Sequence, residues 1–335
     1  MQKTFDVQGP VELDVRLGSG DIEVDPTADG RVEIELIAHD EESQRLVDNA
    51  RIELNPHGHR PTVLVDVPQK RGFSISIFGR SGIECRIRCP HDSGLSVRTK
   101  SADISTRGTI GGLNVQTASG DIDIDRVSGG VNVKSASSDF SAREVLGGVN
   151  IQTASGDIDL STAHGPINVT SVSGDISIGE AYDNVNANSV SGDQDHGAVM
   201  QGIVAAHSVS GDVTIAVRRG SKAFLDCTTV SGDTTSELEL TGDAPAGEGP
   251  LVEIRAKTVS GDISIGEAYD NVNANSVSGD QDHGAVMQGV VAAHSVSGDV
   301  TIAVRRGSKA FLDCTTVSGD TTSELHTASS FGPVP

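Results

Sequence analysis

A triplet, Ser-Gly-Asp or a near variant, opens at residues 101, 119, 137, 155, 173 and 191, each 18 residues after the last. Further copies begin at Ser210, Ser231, Ser260, Ser278, Ser297 and Ser318 with steps stretched by short insertions, and an earlier one stands at Ser19-Gly20-Asp21. Self-similarity at a fixed period restricts a chain to an array of like units, each leaning on its neighbours.

Inside each 18 lies a weaker period of nine. One apolar rank runs Ala118, Val127, Ala136, Val145, Ala154, Ala163, Val172, Ala181, Val190; a second runs Ile122, Val131, Phe140, Val149, Ile158, Ile167, Ile176, Val185. A third follows two residues behind the second, from Ile124 and Val133 to Ile178 and Ala187. Apolar residues separated by one polar residue make a strand with one buried face, and the glycine-rich triplet supplies a corner. Identity returns at 18 and only similarity at nine. This predicts an all-β fold, a parallel β-solenoid or β-helix, with coils of about 18 residues and two nine-residue halves per coil. Stacking puts Ile over Ile, Asn over Asn and Asp over Asp about 4.8 Å apart. A lone coil buries too little to order itself, so the array must stack to fold.

The 25 Lys and Arg are outnumbered by 47 Asp and Glu, a net charge of −22. Residues 1–107 carry −4 of it and residues 108–335 carry −18. So acidic a chain does not hold a nucleic-acid backbone by counterion release and is repelled by anionic lipid. No apolar run approaches the roughly 18 residues of a membrane-spanning helix. Residues 1–7, MQKTFDV, have no apolar signal core, which places the expected location in the cytoplasm.

The organisation expected is a β-rich part and cap over 1–95, solenoid repeats over 96–238, and a joining loop and strand over 239–257. A near-identical duplicate of the solenoid segment occupies 258–326, and a disordered tail 327–335. Residues 172–238 return as 259–325 with one difference, Ile203 against Val290. Gly242 to Pro250 reads as an exposed loop, and Leu251 to Ala256 alternates as a strand leading into the second copy. In the first part, residues 11–15, 22–24 and 32–36 alternate as strands, and 41–50 reads as a short helix. Phe73 to Phe78, flanked by Lys70, Arg71 and Arg80, is the one basic-aromatic cluster. It reads as a packed strand or as a partner-binding hairpin. Cys85 and Cys89, four apart on one strand face, lie about 13 Å apart, too far for a disulfide or one metal. They read as buried thiols, and Cys227 and Cys314 as pointing inward.

The runs Gly94-Leu95-Ser96-Val97-Arg98-Thr99-Lys100-Ser101-Ala102-Asp103-Ile104 and Gly112-Leu113-Asn114-Val115-Gln116-Thr117-Ala118-Ser119-Gly120-Asp121-Ile122 resemble the bacterial "putative adhesin" β-strand repeat family, domain of unknown function 4097. Leu17 to Val24 fits it too, and the resemblance spans residues 5–325. It implies a β-solenoid and no established reaction.

Stacked carboxylates repel by about 1–3 kcal/mol per pair at intermediate dielectric, and something must offset that. Calcium between turns is one answer, with Asp121, Asp157, Asp175 and Asp193 as ligands; hydrogen bonds from turn amides are the other. In Ser191 to Gly197, Gln194 and His196 replace the apolar pair. This segment reads as a bulge or loop leaving the solenoid, or as a transition-metal site of Asp193, Asp195 and His196 with His207 near by. Its duplicate offers Asp280, Asp282 and His283. Arg218-Arg219-Gly220-Ser221-Lys222, repeated at 305–309, reads as a solvated corner insertion rather than a phosphate site. No nucleophile elbow, phosphate loop or paired Cys/His motif is present. The expected function is a non-catalytic scaffold or interaction module that binds a protein partner, or a second copy of itself, through its edge or faces. The alternatives are a calcium-dependent surface adhesin and a glycan-acting β-helix enzyme.

Overall fold

Like residues do lie over like. Ser101 bridges Ser119, Ser119 bridges Ser137, Ser137 bridges Ser155 and Ser155 bridges Ser173. On one side of the coil Ile122 faces Phe140 and Phe140 faces Ile158; on the other, Leu113 faces Val131 and Val131 faces Val149, all in parallel register. The computed structural model describes residues 1–27, 30–56, 58–68, 82–217, 222–231, 234–236, 251–260, 262–266, 272–278, 281–297, 300–318 and 321–325, and side chains to residue 263 except at 222–225, 235–236 and 251. The Phe73–Phe78 cluster, the 242–250 loop and the 327–335 tail lie outside the described residues. Two units divide the chain, Met1–Gly174 and Asp175–Pro335.

In the first unit each coil closes around a thin apolar core. Ile122, Ile124, Val127, Val131 and Val133 are at most 3% exposed. The outward positions form ladders of their own. Asn132 donates to Asn114 and Asn150 to Asn132, both at 3.1 Å, so neighbouring amides satisfy one another up the stack. The rank spaced by nine is corrected by the structure: Val127, Val145 and Ala163 are buried, whereas Ala118, Ala136 and Ala154 are exposed and Val172 is 51% exposed. The cause is the hydroxyl residue one place earlier. Thr117 and Thr153 turn toward the interior, where they donate to the carbonyls of Ser119 at 2.6 Å and Ser155 at 2.9 Å. Alternation then throws the next residue outward.

The corner glycine is needed where coils touch. Gly156 has φ +128°, and a Cβ there would stand 2.1 Å from the Ser138 carbonyl oxygen of the coil below. Ser138 itself is buried and has no positive φ. That is why the triplet tolerates Ser in one coil and demands Gly in the next.

At the start of the chain, stack order and chain order part. Residues 12–16 of the strand Glu12–Asp25 lie between Thr62–Asp66 and residues 94–98. Residues 20–25 of the same strand pair Ile83–Arg88, and residues 20–24 pair 102–106. The Ser19 coil thus seats directly on the Ser101 coil. Beyond it the ladders turn antiparallel: Arg51–Asn55 on Thr62–Asp66, Arg31–Ala38 on Ile83–Arg88, and Gln2–Asp6 on Arg31–Ala38. The helix Glu41–Asp48 begins at Asp40, whose carboxylate accepts the Ser43 N–H at 2.7 Å.

In the second unit the order parts again. Residues 251–266 do not follow 222–236 in the stack. The strand Leu251–Ser260 sits between Gly202–His207 and Lys222–Ser231, and Ile263–Gly266 sits between Val213–Val217 and Thr234–Ser236. Ser208 N–H to Lys257 O at 2.8 Å and Val213 N–H to Asp262 O at 2.9 Å fasten this inserted rung to its lower neighbour. Lys222–Ser231 in turn carries Val272–Ser278. In the duplicate the stack is sequential: residues 288–297 pair directly with 309–318.

Candidate functional site

The corner aspartates form a row bonded from coil to coil. Asp121 N–H donates to Asp103 Oδ1 at 3.0 Å and Asp157 N–H to Asp139 Oδ1 at 2.9 Å. In the second unit Asp193 N–H donates to Asp175 Oδ1 at 2.8 Å, Asp212 N–H to Asp193 Oδ1 at 2.9 Å and Asp262 N–H to Asp212 Oδ1 at 2.9 Å. Each donor belongs to the next coil rather than to the same turn. At each of these steps the repulsion is offset by one charge-assisted bond. The row stays at the surface, beside a shallow groove of about 360 Å³ lined by Asp121, Asp139 and Asp157 together with Asp123, Asp159, Ile122, Phe140 and Ser141.

Asp195 and His196, adjacent on the strand Gln194–Val199, point to opposite faces, Asp195 out and His196 in. His196 is fully buried, and burial holds its imidazole down at about 4. Its Nε2 stands 3.3 Å from Gln194 Oε1, and its Nδ1 has no partner. Gln194 Nε2 donates to the His207 carbonyl at 2.8 Å. The His207 ring faces outward on another strand, 3.2 Å from Asn188 Oδ1. The structure therefore does not bring Asp193, Asp195, His196 and His207 together. The segment also stays in the stack, paired to Ile176–Ala181 and Val213–Val217, with a bulge between His196 and Ala198. Among the described residues no three His, Cys, Asp or Glu gather as a metal site. Asp280 lies outside the described residues, as do the side chains of Asp282, His283 and Cys314.

Cys85, Cys89 and Cys227 are free, buried thiols. Burial pushes them to about 12, about 11 and about 12, so none is a thiolate nucleophile near neutral pH. Of the Arg-Arg-Gly-Ser insertions, 218–221 lies outside the described residues and 305–308 runs inside the strand Val300–Ser318. Among the described residues no helix is long and apolar enough to cross a membrane.

Two surface features carry a signal in the sequence that lies outside any catalytic or metal-binding motif. Arg143 Nε donates to Asp125 Oδ1 at 2.5 Å, and Arg126 pairs Glu144. Opposite charges 18 residues apart are their signature. The Arg143 guanidinium, followed by the Gly108 N–H, holds the Asp125 carboxyl below its ordinary range. The other is a row of exposed valines one place before the triplet, Val190, Val209, Val259 and Val230 in stack order, 40–48% exposed.

A family model described as Toastrack DUF4097 matches residues 11–266. Among curated proteins nothing matches. Of solved structures, a putative adhesin from Bacteroides fragilis is 14% identical, with 79% of this chain and 96% of that chain covered and a TM-score of 0.40. A putative cell adhesion protein from Clostridium sporogenes is 11% identical, with 80% and 99% covered and a TM-score of 0.25. A putative adhesin from Parabacteroides distasonis is 12% identical, with 97% and 96% covered and a TM-score of 0.25.

Proposed function

This chain belongs to the Toastrack DUF4097 family, and from that premise we propose that it is a non-catalytic β-solenoid scaffold that binds a protein partner, or a second copy of itself, through its strand edges or ladder faces. One observation carries the reading. The coils present rows of Asn, Asp and exposed Val, while Cys85, Cys89, Cys227 and the His196 imidazole are sealed inside. Rows repeating about every 4.8 Å match another strand array better than a small substrate. We place the protein in the cytoplasm.

Light scattering across a concentration series tests self-association. The expected result is a mass that rises with concentration; a concentration-independent monomer overturns that part. The groove flanked by Asp121, Asp139 and Asp157 favours a second reading, a calcium-dependent adhesin on the cell surface. It requires a melting midpoint that rises with millimolar calcium and falls back with chelator, and an unmoved midpoint removes it.

A further inference from the structure

The duplication sets the same two walls side by side in two states. In the first copy, strands 202–207 and 222–231 are held apart by the rung 251–266. In the second copy the matching strands, identical in sequence but for Val290 in place of Ile203, touch: Val291 faces Leu312 and Ala293 faces Cys314. The same walls are therefore compatible with a rung between them and with none.

Three observations say that the closed junction can open. The link from Val217 to Lys222, Arg-Arg-Gly-Ser, recurs between Val304 and Lys309. Five Cα steps reach about 17 Å when extended, more than the roughly 10 Å that two rung spacings demand. The rung also fits these walls in register, with buried Val252, Ile254 and Ala256 alternating against residues 202–206 and 223–227. Opening breaks one parallel ladder and insertion makes two, so the filled junction gains a ladder. Out-of-order seating is also a habit of the fold, since the Ser19 coil sits between the strands Thr62–Asp66 and Ile83–Arg88 on one side and residues 94–106 on the other.

We propose that the junction where 288–297 meets 309–318 and 300–304 meets 321–325 is a second slot for such a rung, and that its occupant is the 251–266 rung of another copy of this chain. Each chain holds two such slots and one rung, so exchange joins copies without creating a new surface. The rung leaves one junction, which closes as 288–297 closes on 309–318, and opens another. This rests on the self-association proposed above and names its route.

A fluorescent peptide of residues 251–266, added to the full chain, tests it. Saturable binding at one peptide per chain is expected, weakened at least tenfold when the peptide carries Ile254→Asp and Ala256→Asp. No saturable binding, or equal binding of both peptides, overturns the slot. The lock is Ala293→Cys, which sets a thiol in register with Cys314 within disulfide reach. Ala293→Ser serves as the unlockable control. Oxidation is expected to cut peptide binding at least tenfold and reduction to restore it; binding indifferent to the lock overturns the proposal. A chain that associates by light scattering yet takes up no peptide leaves the proposed function standing and sinks the slot.

Discussion

The coil at 122–134 and the coil at 194–207 occupy the same kind of rung with opposite interiors. The first buries Ile122 and Ile124; the second buries Gln194 and His196 in the corresponding places, under 2% exposed. Both keep parallel pairing above and below. A rung's place is therefore set by its backbone ladder and corner, and the inward side chains decide how much that place is worth. Gln194 is accommodated because its amide reaches the His207 carbonyl, while His196 leaves one ring nitrogen unpaired and must stay neutral.

The largest break in that comparison is to give the second coil the first coil's interior. Gln194→Ile with His196→Ile should stabilise the chain by about 2 kcal/mol at neutral pH, read from urea midpoints. The gap should widen as pH falls from 6.5, where unfolded histidine begins to take a proton that buried His196 refuses until about 4. At pH 4.5 the difference should reach about 4 kcal/mol. A gap independent of pH would show that His196 is not buried neutral. Next comes the corner. Gly156→Ala should cost about 3 kcal/mol, because φ +128° and the Ser138 carbonyl both resist a Cβ. Ser138→Gly should cost less than about 1 kcal/mol. Equal losses would mean that the corner is not set by contact between coils. Third, Asp139→Ala removes the acceptor of the Asp157 N–H and should lower stability by about 1 kcal/mol. Asp139→Asn, which keeps the oxygen, should be near neutral by thermal melting. The smallest effect belongs to Arg143→Gln, a slight fall in melting midpoint, from an exposed pair that added salt should weaken further.

Most of the stack was legible because stacking writes itself into sequence. A residue that must lie on its like 18 places on leaves an identity at that spacing, as Ser119 on Ser137 and Asn132 on Asn150 do. The helix at Glu41–Asp48 and the inward Cys85, Cys89 and Cys227 were readable from short-range pattern. The spacing of nine misled at Ala118 and Val190, because it registers apolar residues without registering which way a corner has turned them. Strand alternation already separated Asp195 from His196, but it carries no measure of which strand His207 would share. Rung order was invisible for a deeper reason. Every rung offers the same alternation on both edges, so Val252, Ile254 and Ala256 suit 202–206 as well as they suit 223–227. Pairing rules choose a register and leave the neighbour undetermined.

The inserted rung also bears on how the protein is made. On a ribosome the chain emerges from the N-terminus, yet the edge of 202–217 awaits 251–266. At about 5–20 residues per second, that partner follows only some seconds later. In the interval residues 222–236 arrive first, and they carry the strand that pairs directly in the duplicate. The inserted order therefore requires either that the early arrival be held off or that it be displaced. Synthesis speed thus becomes a variable that can sort one sequence between two stacks.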